Sequence, residues 1–481
     1  MSRYDLLVKN GTLILPYVGS VRADLATRQG RIAAIGEDLP PADAEEVLDA
    51  TGRLVFPGGV DAHYHLGIYR PLEVDAAQET RSSLVGGATS VLSYFRTGQH
   101  YLNRTGPYEE ILPEVVAAVS GRSWTDFGFH LAPMDTRQVG EVPALVDRHG
   151  ISSFKYYMFY KGFNLSADSR DAKAFTMSDE YDLGHLYQIM EAVAAAGRRD
   201  APLQGDTDRR VSLSLHCEQA ELMRLFIDRV RAAGDPQTLK AYSDARPPLT
   251  ERVAIGEATT LAAATACPVN LLHLSSGEAL AAATEARLAH PDLDLRTEVT
   301  LHHLCLNHDE LPGLGGKVNP PIRSAADTEA LWAGVLSGNV DWVASDHACC
   351  LEEHKGDELW PALPGFGGTG LLYPILLSEG MHRRGLAPHR VAELVSANPA
   401  RAYGLWPRKG SLLVGHDADL TVVDPDLEQE VSTDLLLSGQ DHCPFAGRKV
   451  RGWPVATVLR GRIAYRDGAV VGDPRGTFLS R

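Results

Sequence analysis

Cysteine is scarce in this sequence, and so are long apolar runs. Six cysteines in 481 residues are too few for a disulfide framework, and the adjacent Cys349 and Cys350 are interpreted as inert thiols rather than a redox pair. Residues 1–10 lack the apolar core of a signal peptide, and no later run is long enough to span a bilayer. We therefore expect a cytoplasmic protein that neither enters nor crosses a membrane.

Basic residues are fewer than acidic residues in this chain. The chain has 46 lysines and arginines against 62 aspartates and glutamates, which gives a net charge of −16. This excess of negative charge disfavours binding to nucleic acid and to anionic membranes. Hydrophobic residues make up 44% of the chain, as is usual for a globular protein. Its length is too great for one ordinary core, but it suits a barrel with an attached domain.

Short β-rich segments occupy both ends of the chain. They are separated by turn residues and cover 5–9, 11–15, 30–35 and 52–56 at one end and 420–423, 455–463 and 468–471 at the other. Two strand-rich ends most simply pair in one small β-sandwich, with the middle of the chain inserted between them. We predict that residues 1–55 and 406–481 form this sandwich.

The middle of the chain alternates short β-rich runs with helical patterns, which is typical of βα units around a parallel sheet. Thr250, for example, is expected to cap a helix that ends at Cys267 and Pro268. Eight such units predict a (β/α)8 TIM-type barrel over residues 56–405, with its chemistry at the carboxyl ends of the strands. The candidate strands are 56–65, 89–95, 127–131, 154–159, 211–216, 269–274, 295–300 and 342–346.

Lys155 stands in the middle of the apolar and aromatic run 151–160. Burial of a lysine is costly, and it lowers the pKa so that a neutral amine is favoured. A neutral amine can add carbon dioxide and become a carbamate, whose two oxygens bind metal ions as a carboxylate does. The alternative is a lysine that extends its ammonium group to solvent at the strand end.

Residues that commonly bind metals recur at the predicted strand ends. His63 and His65 alternate at the end of the first strand, so their imidazoles lie on the same face. Each residue taken singly could be an ordinary core or capping residue. Together four histidines, one aspartate and one lysine suit two divalent ions of the zinc type. The members beyond the first pair are Lys155, His216, His273 and Asp346.

These motifs resemble those of the cyclic amidohydrolases of the amidohydrolase superfamily, which include hydantoinases (dihydropyrimidinases), allantoinases and dihydroorotases. The resemblance covers nearly the whole chain. It is carried by residues 55–65, 154–160, 317–323, 344–347 and 409–419.

The resemblance implies a set of roles for residues of this chain. His63, His65, Lys155 and Asp346 would hold one metal ion, and Lys155, His216 and His273 the other, with Lys155 carboxylated by carbon dioxide. Zinc is the expected metal, with manganese, cobalt or iron as alternatives. Tyr160 would orient the substrate and stabilise the oxyanion, Asp346 would transfer a proton, and Asn319 would contact the substrate. A homo-oligomer, either a dimer or a tetramer, is also implied.

The implied function is metal-dependent hydrolysis of the C–N bond of a small cyclic amide, imide or ureide, as in hydantoinases and allantoinases. A dihydroorotase-like enzyme is less favoured because Gly67 stands where dihydroorotases carry an arginine, although Arg70 is a candidate replacement. Two further alternatives are an inactive assembly protein related to dihydropyrimidinase, and a lactone or phosphotriester hydrolase on the same barrel. The complete ligand set disfavours the former, and Tyr160 with residues 319–323 disfavours the latter.

Other polar and aromatic residues near the motifs are interpreted as structural. Met134, Cys349 and Phe366 are expected in the core, and His303 is expected to be structural rather than catalytic. The charged segment 351–360 is expected to be a solvated loop.

Overall fold

The structure, a computed structural model, describes residues 3–98, 100–160, 164–165, 175–176, 181–197 and 210–481. The strands in chain order are β1 (Tyr4–Leu15), β2 (Gly19–Arg28), β3 (Arg31–Gly36), β4 (Ala44–Asp49), β5 (Leu54–Pro57), β6 (Gly59–His65), β7 (Ala88–Arg96), β8 (Asp126–Ala132), β9 (Ser153–Tyr157), β10 (Asn164–Leu165), β11 (Phe175–Thr176), β12 (Ser212–His216), β13 (Val269–Leu271), β14 (Leu295–Thr300), β15 (Trp342–Ala344), β16 (His347–Ala348), β17 (Leu420–Glu430), β18 (Lys449–Leu459), β19 (Arg462–Arg466) and β20 (Ala469–Val470).

Helices fill most of the connections between the barrel strands, and further helices follow the eighth strand and join β17 to β18. They are α1 (Leu72–Val85), α2 (Tyr108–Val119), α3 (Thr136–His149), α4 (Leu183–Gly197), α5 (Ala220–Ala232), α6 (Leu239–Ala245), α7 (Pro248–Thr265), α8 (Gly277–Ala289), α9 (Leu301–Cys305), α10 (Ala325–Ser337), α11 (Leu372–Ile375), α12 (Pro388–Ala392), α13 (Asn398–Ala402) and α14 (Thr433–Leu436). None of the helices in the described ranges is long and apolar enough to cross a membrane.

The barrel sheet is parallel and follows the order β15-β14-β13-β12-β9-β8-β7-β6-β16. Strands β15 and β16 are two pieces of the eighth barrel strand, since β15 pairs with β14 and β16 pairs with β6. The sheet therefore closes on itself through a break at residues 345–346. This architecture confirms the predicted TIM-type barrel, and each of the eight predicted strands overlaps an observed barrel strand.

The sandwich sheet takes strands from both ends of the chain, in the order β20-β19-β18-β17-β5-β1-β2-β3, with β4 beside β1. Strand β17 pairs with β5, so the two ends meet within one sheet, as predicted. A separate apolar cluster that includes Leu13, Leu25, Val55 and Val458 forms its core. The predicted division of the chain after residues 55 and 405 stays a prediction.

The structure corrects several predicted element bounds. Segments 5–9 and 11–15 form the single strand β1, and β2 and β4 were missed. The predicted strand 455–463 is a hairpin, because Arg460 and Gly461 both adopt the positive φ angles that suit a tight turn between antiparallel strands. Helix α7 begins at Pro248, in keeping with the preference of proline for the first helical position, so Thr250 lies inside the helix and is not its cap.

Candidate metal centre

The carboxyl ends of the barrel strands line a cavity of about 220 Å³. All eight residues that the sequence predicts for the site border this cavity. They are His63, His65, Lys155, Tyr160, His216, His273, Asn319 and Asp346. The structure therefore brings them together, while their individual roles stay predictions.

His63, His65 and Asp346 form the tightest group. Asp346 Oδ1 lies 3.0 Å from His63 Nε2 and 3.2 Å from His65 Nε2. One ligand atom from each of the three lies within 4.8 Å of the other two, so all three can reach a common ion. Burial opposes protonation of His63, but the carboxylates of Asp346 and Glu298 raise its pKa to about 9.

The backbone at the break in the eighth strand aims Asp346 into the cavity. Asp346 has a φ of +50°, a left-handed conformation that aspartate adopts more readily than most residues. The preceding Ser345 is held by Asp61, whose carboxylate accepts bonds from the Ser345 amide at 3.0 Å and from its hydroxyl at 2.6 Å. Asp61 thus anchors the turn that carries Asp346.

Glu298 on β14 orients His63 and was missed by sequence reasoning. Its Oε1 lies 2.6 Å from His63 Nδ1, and its Oε2 accepts a bond from the indole of Trp342 at 2.7 Å. A carboxylate on one imidazole nitrogen fixes the tautomer and directs the other nitrogen towards a metal. Strand β14 carries other polar side chains besides Glu298, so its sequence contains no signal that singles this residue out.

His216 and His273 form a second pair that borders the cavity, with ring centroids 4.3 Å apart. The ring of His273 is also 5.2 Å from that of His63, so the two histidine pairs adjoin. Glu218 Oε2 lies 2.6 Å from His216 Nε2, which leaves Nδ1 as the nitrogen available to a metal. Burial lowers the pKa of His216 to about 4, although Glu218 opposes this shift.

Lys155 is buried between the aromatic rings of the barrel interior and does not reach solvent, with 1% of its surface exposed. Its Nζ lies 4.2 Å from the centre of the Tyr94 ring and 4.9 Å from that of Tyr157. Among the described residues, no hydrogen-bond acceptor contacts this Nζ. Burial lowers the pKa of Lys155 to about 7, although the carboxylates of Asp346 and Glu298 oppose the shift.

Tyr160 lies in the short 3-10 turn that follows β9, on the wall of the cavity. Its ring stacks on that of Tyr157, with centroids 4.6 Å apart. The guanidinium of Arg96, at the carboxyl end of β7, lies 5.8 Å from the Tyr160 ring and also borders the cavity. Sequence reasoning missed Arg96, since its chain neighbours carry no metal-binding pattern.

Asn319 is held by two donors that sequence reasoning also missed. Arg246 Nη1 and the Tyr242 hydroxyl donate to Asn319 Oδ1 at 2.7 and 2.5 Å. The same guanidinium pairs with Glu218, to which its Nε donates at 2.8 Å. A continuous set of hydrogen bonds therefore joins Asn319 to His216.

Residues 359–365, here called the roof segment, cover part of the cavity, to which Trp360 and Leu363 contribute side chains. Lys317 Nζ donates to the carbonyls of Leu359, Trp360 and Ala362. Lys355 Nζ donates to those of Lys317, Leu363 and Gly365. The prediction of a solvated loop at 351–360 is therefore wrong in part, because Lys355 is buried. The three carbonyls that accept from its ammonium group make this burial tolerable.

Several residues near the motifs lie outside the cavity, namely Arg70, Met134, Cys349, Cys350 and Phe366. The Arg70 side chain contacts helix α1, where its Nη1 lies 3.2 Å from Glu79 Oε1. The same Nη1 lies 3.2 Å from Cys349 Sγ. His303 has a partner on each ring nitrogen, Thr300 Oγ1 and the Pro320 carbonyl, in keeping with a structural residue.

The architecture is a TIM-type barrel with histidines and an aspartate gathered at its strand ends, and comparison with known proteins identifies the family. The model of the amidohydrolase family matches residues 162–464. An allantoinase from Rubrobacter xylanophilus is 32% identical over 482 residues, covering 100% of this chain and 98% of the relative. The chain therefore belongs to the amidohydrolase family, which confirms the predicted resemblance.

Hydantoinases are also similar over the whole length. A D-hydantoinase from Ralstonia pickettii is 28% identical, with 99% of both chains covered. The structure of an L-hydantoinase (dihydropyrimidinase) from Arthrobacter aurescens superposes with a TM-score of 0.86 at 26% identity, covering 99% of this chain and 100% of that one.

Proposed function

We propose that this protein hydrolyses the C–N bond of a small cyclic amide, imide or ureide of the hydantoin or allantoin type, with two divalent ions, most simply zinc, in the cavity. The observation that carries the proposal is the position of Lys155. A buried amine without a hydrogen-bond acceptor among the described residues lies in the same cavity as two pairs of histidines and an aspartate. The names of the relatives support the choice of substrate class.

The residues present fit a two-metal site. Lys155 Nζ and His273 Nδ1 are buried nitrogens without hydrogen-bond partners among the described residues, and such atoms are costly unless something binds them. A carbamate on Lys155 would supply two oxygen atoms as metal ligands. His63, His65, Asp346 and the carbamate would hold one ion, and His216, His273 and the carbamate the other. Ions of this kind polarise a carbonyl and make water nucleophilic at neutral pH.

The protein residues then supply positioning and proton transfer. Asp346 accepts the proton of the attacking water and returns it to the ring nitrogen as the C–N bond breaks, which gives an open-chain acid. The Tyr160 hydroxyl donates a hydrogen bond to the oxygen on which negative charge develops. Burial of these groups strengthens their electrostatic interactions with the reacting atoms.

A panel of rings tests the proposal. Purified protein is loaded with zinc, manganese or cobalt, and ring opening is measured for hydantoin, dihydrouracil, allantoin, dihydroorotate, succinimide and a lactone. We expect turnover of at least one of the neutral nitrogen rings, its loss on chelation, and its return when metal is added. Absence of turnover on every nitrogen ring by the metal-loaded protein, or turnover that chelation does not affect, would contradict the proposal.

A further inference from the structure

Arg246, at the end of helix α6, links the predicted metal ligand His216 to the predicted substrate contact Asn319. Its Nε and Nη2 donate to the two carboxylate oxygens of Glu218, whose Oε2 lies 2.6 Å from His216 Nε2. Its Nη1 donates to Asn319 Oδ1 at 2.7 Å and to the Tyr242 hydroxyl at 2.7 Å. Arg246 and Glu218 are both buried, so these bonds form where water does not compete.

The guanidinium determines which way the Asn319 amide points. An arginine side chain has only hydrogen-bond donors, so the atom of Asn319 that faces it must be the carbonyl oxygen. Tyr242 donates to the same oxygen, at 2.5 Å. The carbonyl end of the amide is therefore occupied by two donors from the protein. Since Asn319 borders the cavity, the amino end is the part that remains for a ligand.

We propose that Arg246 is a positioning residue that makes Asn319 a hydrogen-bond donor to the substrate, so that the favoured rings carry a second carbonyl oxygen. This inference rests on the proposed function and assigns residues to the recognition of the second ring carbonyl, which rings of the hydantoin and allantoin type carry. One ring carbonyl is attacked at the metal centre, and another accepts the Asn319 amide. Cyclic imides and ureides have two such carbonyls, whereas a simple lactam has one. The same guanidinium holds Glu218 against His216. One side chain therefore orients both the Asn319 donor and a predicted metal ligand.

Succinimide and 2-pyrrolidinone make a matched pair of probes, because both are five-membered rings and they differ by one carbonyl oxygen. Where the parent turns over the imide, KM and kcat for it and the inhibition constant of the lactam are measured, together with metal per chain. Where the parent turns over neither ring, calorimetric titration of both rings into the metal-loaded protein replaces the kinetics. Failure of the proposed function therefore leaves this inference testable.

Asn319→Asp is the decisive variant. It keeps an oxygen for Arg246 and Tyr242 but replaces the amide donor with an oxygen that repels a carbonyl. We expect KM or Kd for the imide to rise about a hundredfold, with little change for the lactam and parent levels of metal. Unchanged binding of the imide by this variant would overturn the inference.

Tyr242→Phe and Arg246→Lys test the positioning itself. Tyr242→Phe removes one of the two donors to Oδ1, and we expect a smaller loss of imide binding, about tenfold, with metal retained. In Arg246→Lys one ammonium cannot bridge Glu218 and Asn319 together, so both imide preference and metal content should fall. Tyr373→Phe is a matched control, since its buried hydroxyl bonds to the Pro57 carbonyl outside the cavity. A loss of stability in Tyr242→Phe with an unchanged imide-to-lactam ratio would reduce Arg246 and Tyr242 to structural residues.

Discussion

His63 Nδ1 and Glu298 Oε1 lie 2.6 Å apart inside the barrel. Glu298 is also fixed by the Trp342 indole, which donates to its second oxygen, so the carboxylate has little freedom to turn. The pair sets the orientation of His63 and leaves Nε2 directed at Asp346. A residue on the seventh barrel strand, where the sequence predicts no ligand, thereby determines the geometry of a predicted ligand on the first.

Glu298→Gln should weaken metal binding by about 10- to 100-fold without loss of the fold, because an amide can still contact His63 but supplies no negative charge. The affinity is measured by competition with a chromogenic chelator. Glu141→Gln is the control, since Glu141 bonds to backbone amides of helix α2 outside the cavity. Equal metal affinity in Glu298→Gln and the parent would contradict this role.

Dihydroorotate should be a poor substrate. Gly67 offers no cation at the position where dihydroorotases carry arginine, and Arg70 is engaged by Glu79 outside the cavity. Burying the substrate carboxylate without a partner should cost about 2 kcal/mol or more of binding free energy. The comparison is kcat/KM for dihydroorotate against the best neutral ring. Similar values would contradict the prediction and would make Arg96 the candidate partner for the carboxylate.

Tyr160→Phe should lower kcat about a hundredfold and leave metal content unchanged, because it removes one donor to the developing oxyanion. Metal per chain and ring-opening rate are measured on the same preparation. Tyr108→Phe serves as the control, since the Tyr108 hydroxyl bonds to the Ala132 carbonyl and does not border the cavity. Parent activity in Tyr160→Phe would make Tyr160 a wall residue.

Lys355→Met should loosen the roof segment. The change removes an ammonium that donates to three carbonyls, and the unsatisfied carbonyls should cost about 1–3 kcal/mol of unfolding free energy. We also expect a higher KM, because the roof segment contributes Trp360 and Leu363 to the cavity. Urea unfolding and steady-state kinetics measure the two effects. The control is Lys240→Met, which loses only an exposed contact with Asp244 and should change neither the unfolding free energy nor KM. A Lys355 variant as stable as that control would contradict the prediction.

The barrel could be predicted because short β-rich runs alternate with helical patterns along the middle of the chain, and the candidate ligands come at the ends of the predicted strands. The roles of Glu298 and Arg246 could not be predicted, since they depend on partners such as His63 and Asn319 that are distant in the chain. The charged segment 351–360 was wrongly predicted to be fully solvated for a related reason. Charge predicts exposure only when the group has no buried acceptors, and Lys355 has three.

Lys155 carries the most consequential prediction. If it is a carbamate between two ions, Lys155→Ala removes a ligand from both. Metal per chain and turnover should then fall almost to zero. The unfolding midpoint should stay close to that of the metal-free parent, because the lost ammonium has no hydrogen-bond acceptor among the described residues.

Rescue distinguishes a missing ligand from a damaged barrel. Acetate or propionate added to Lys155→Ala with metal should restore part of the rate, since a small carboxylate can occupy the vacated position. Lys155→Arg should stay inactive under the same conditions, because a guanidinium remains charged and is not carboxylated. The exposed Lys240→Ala controls for the loss of a lysine as such. If Lys155→Ala retained two metal ions and parent turnover, the carbamate would have no role in this site.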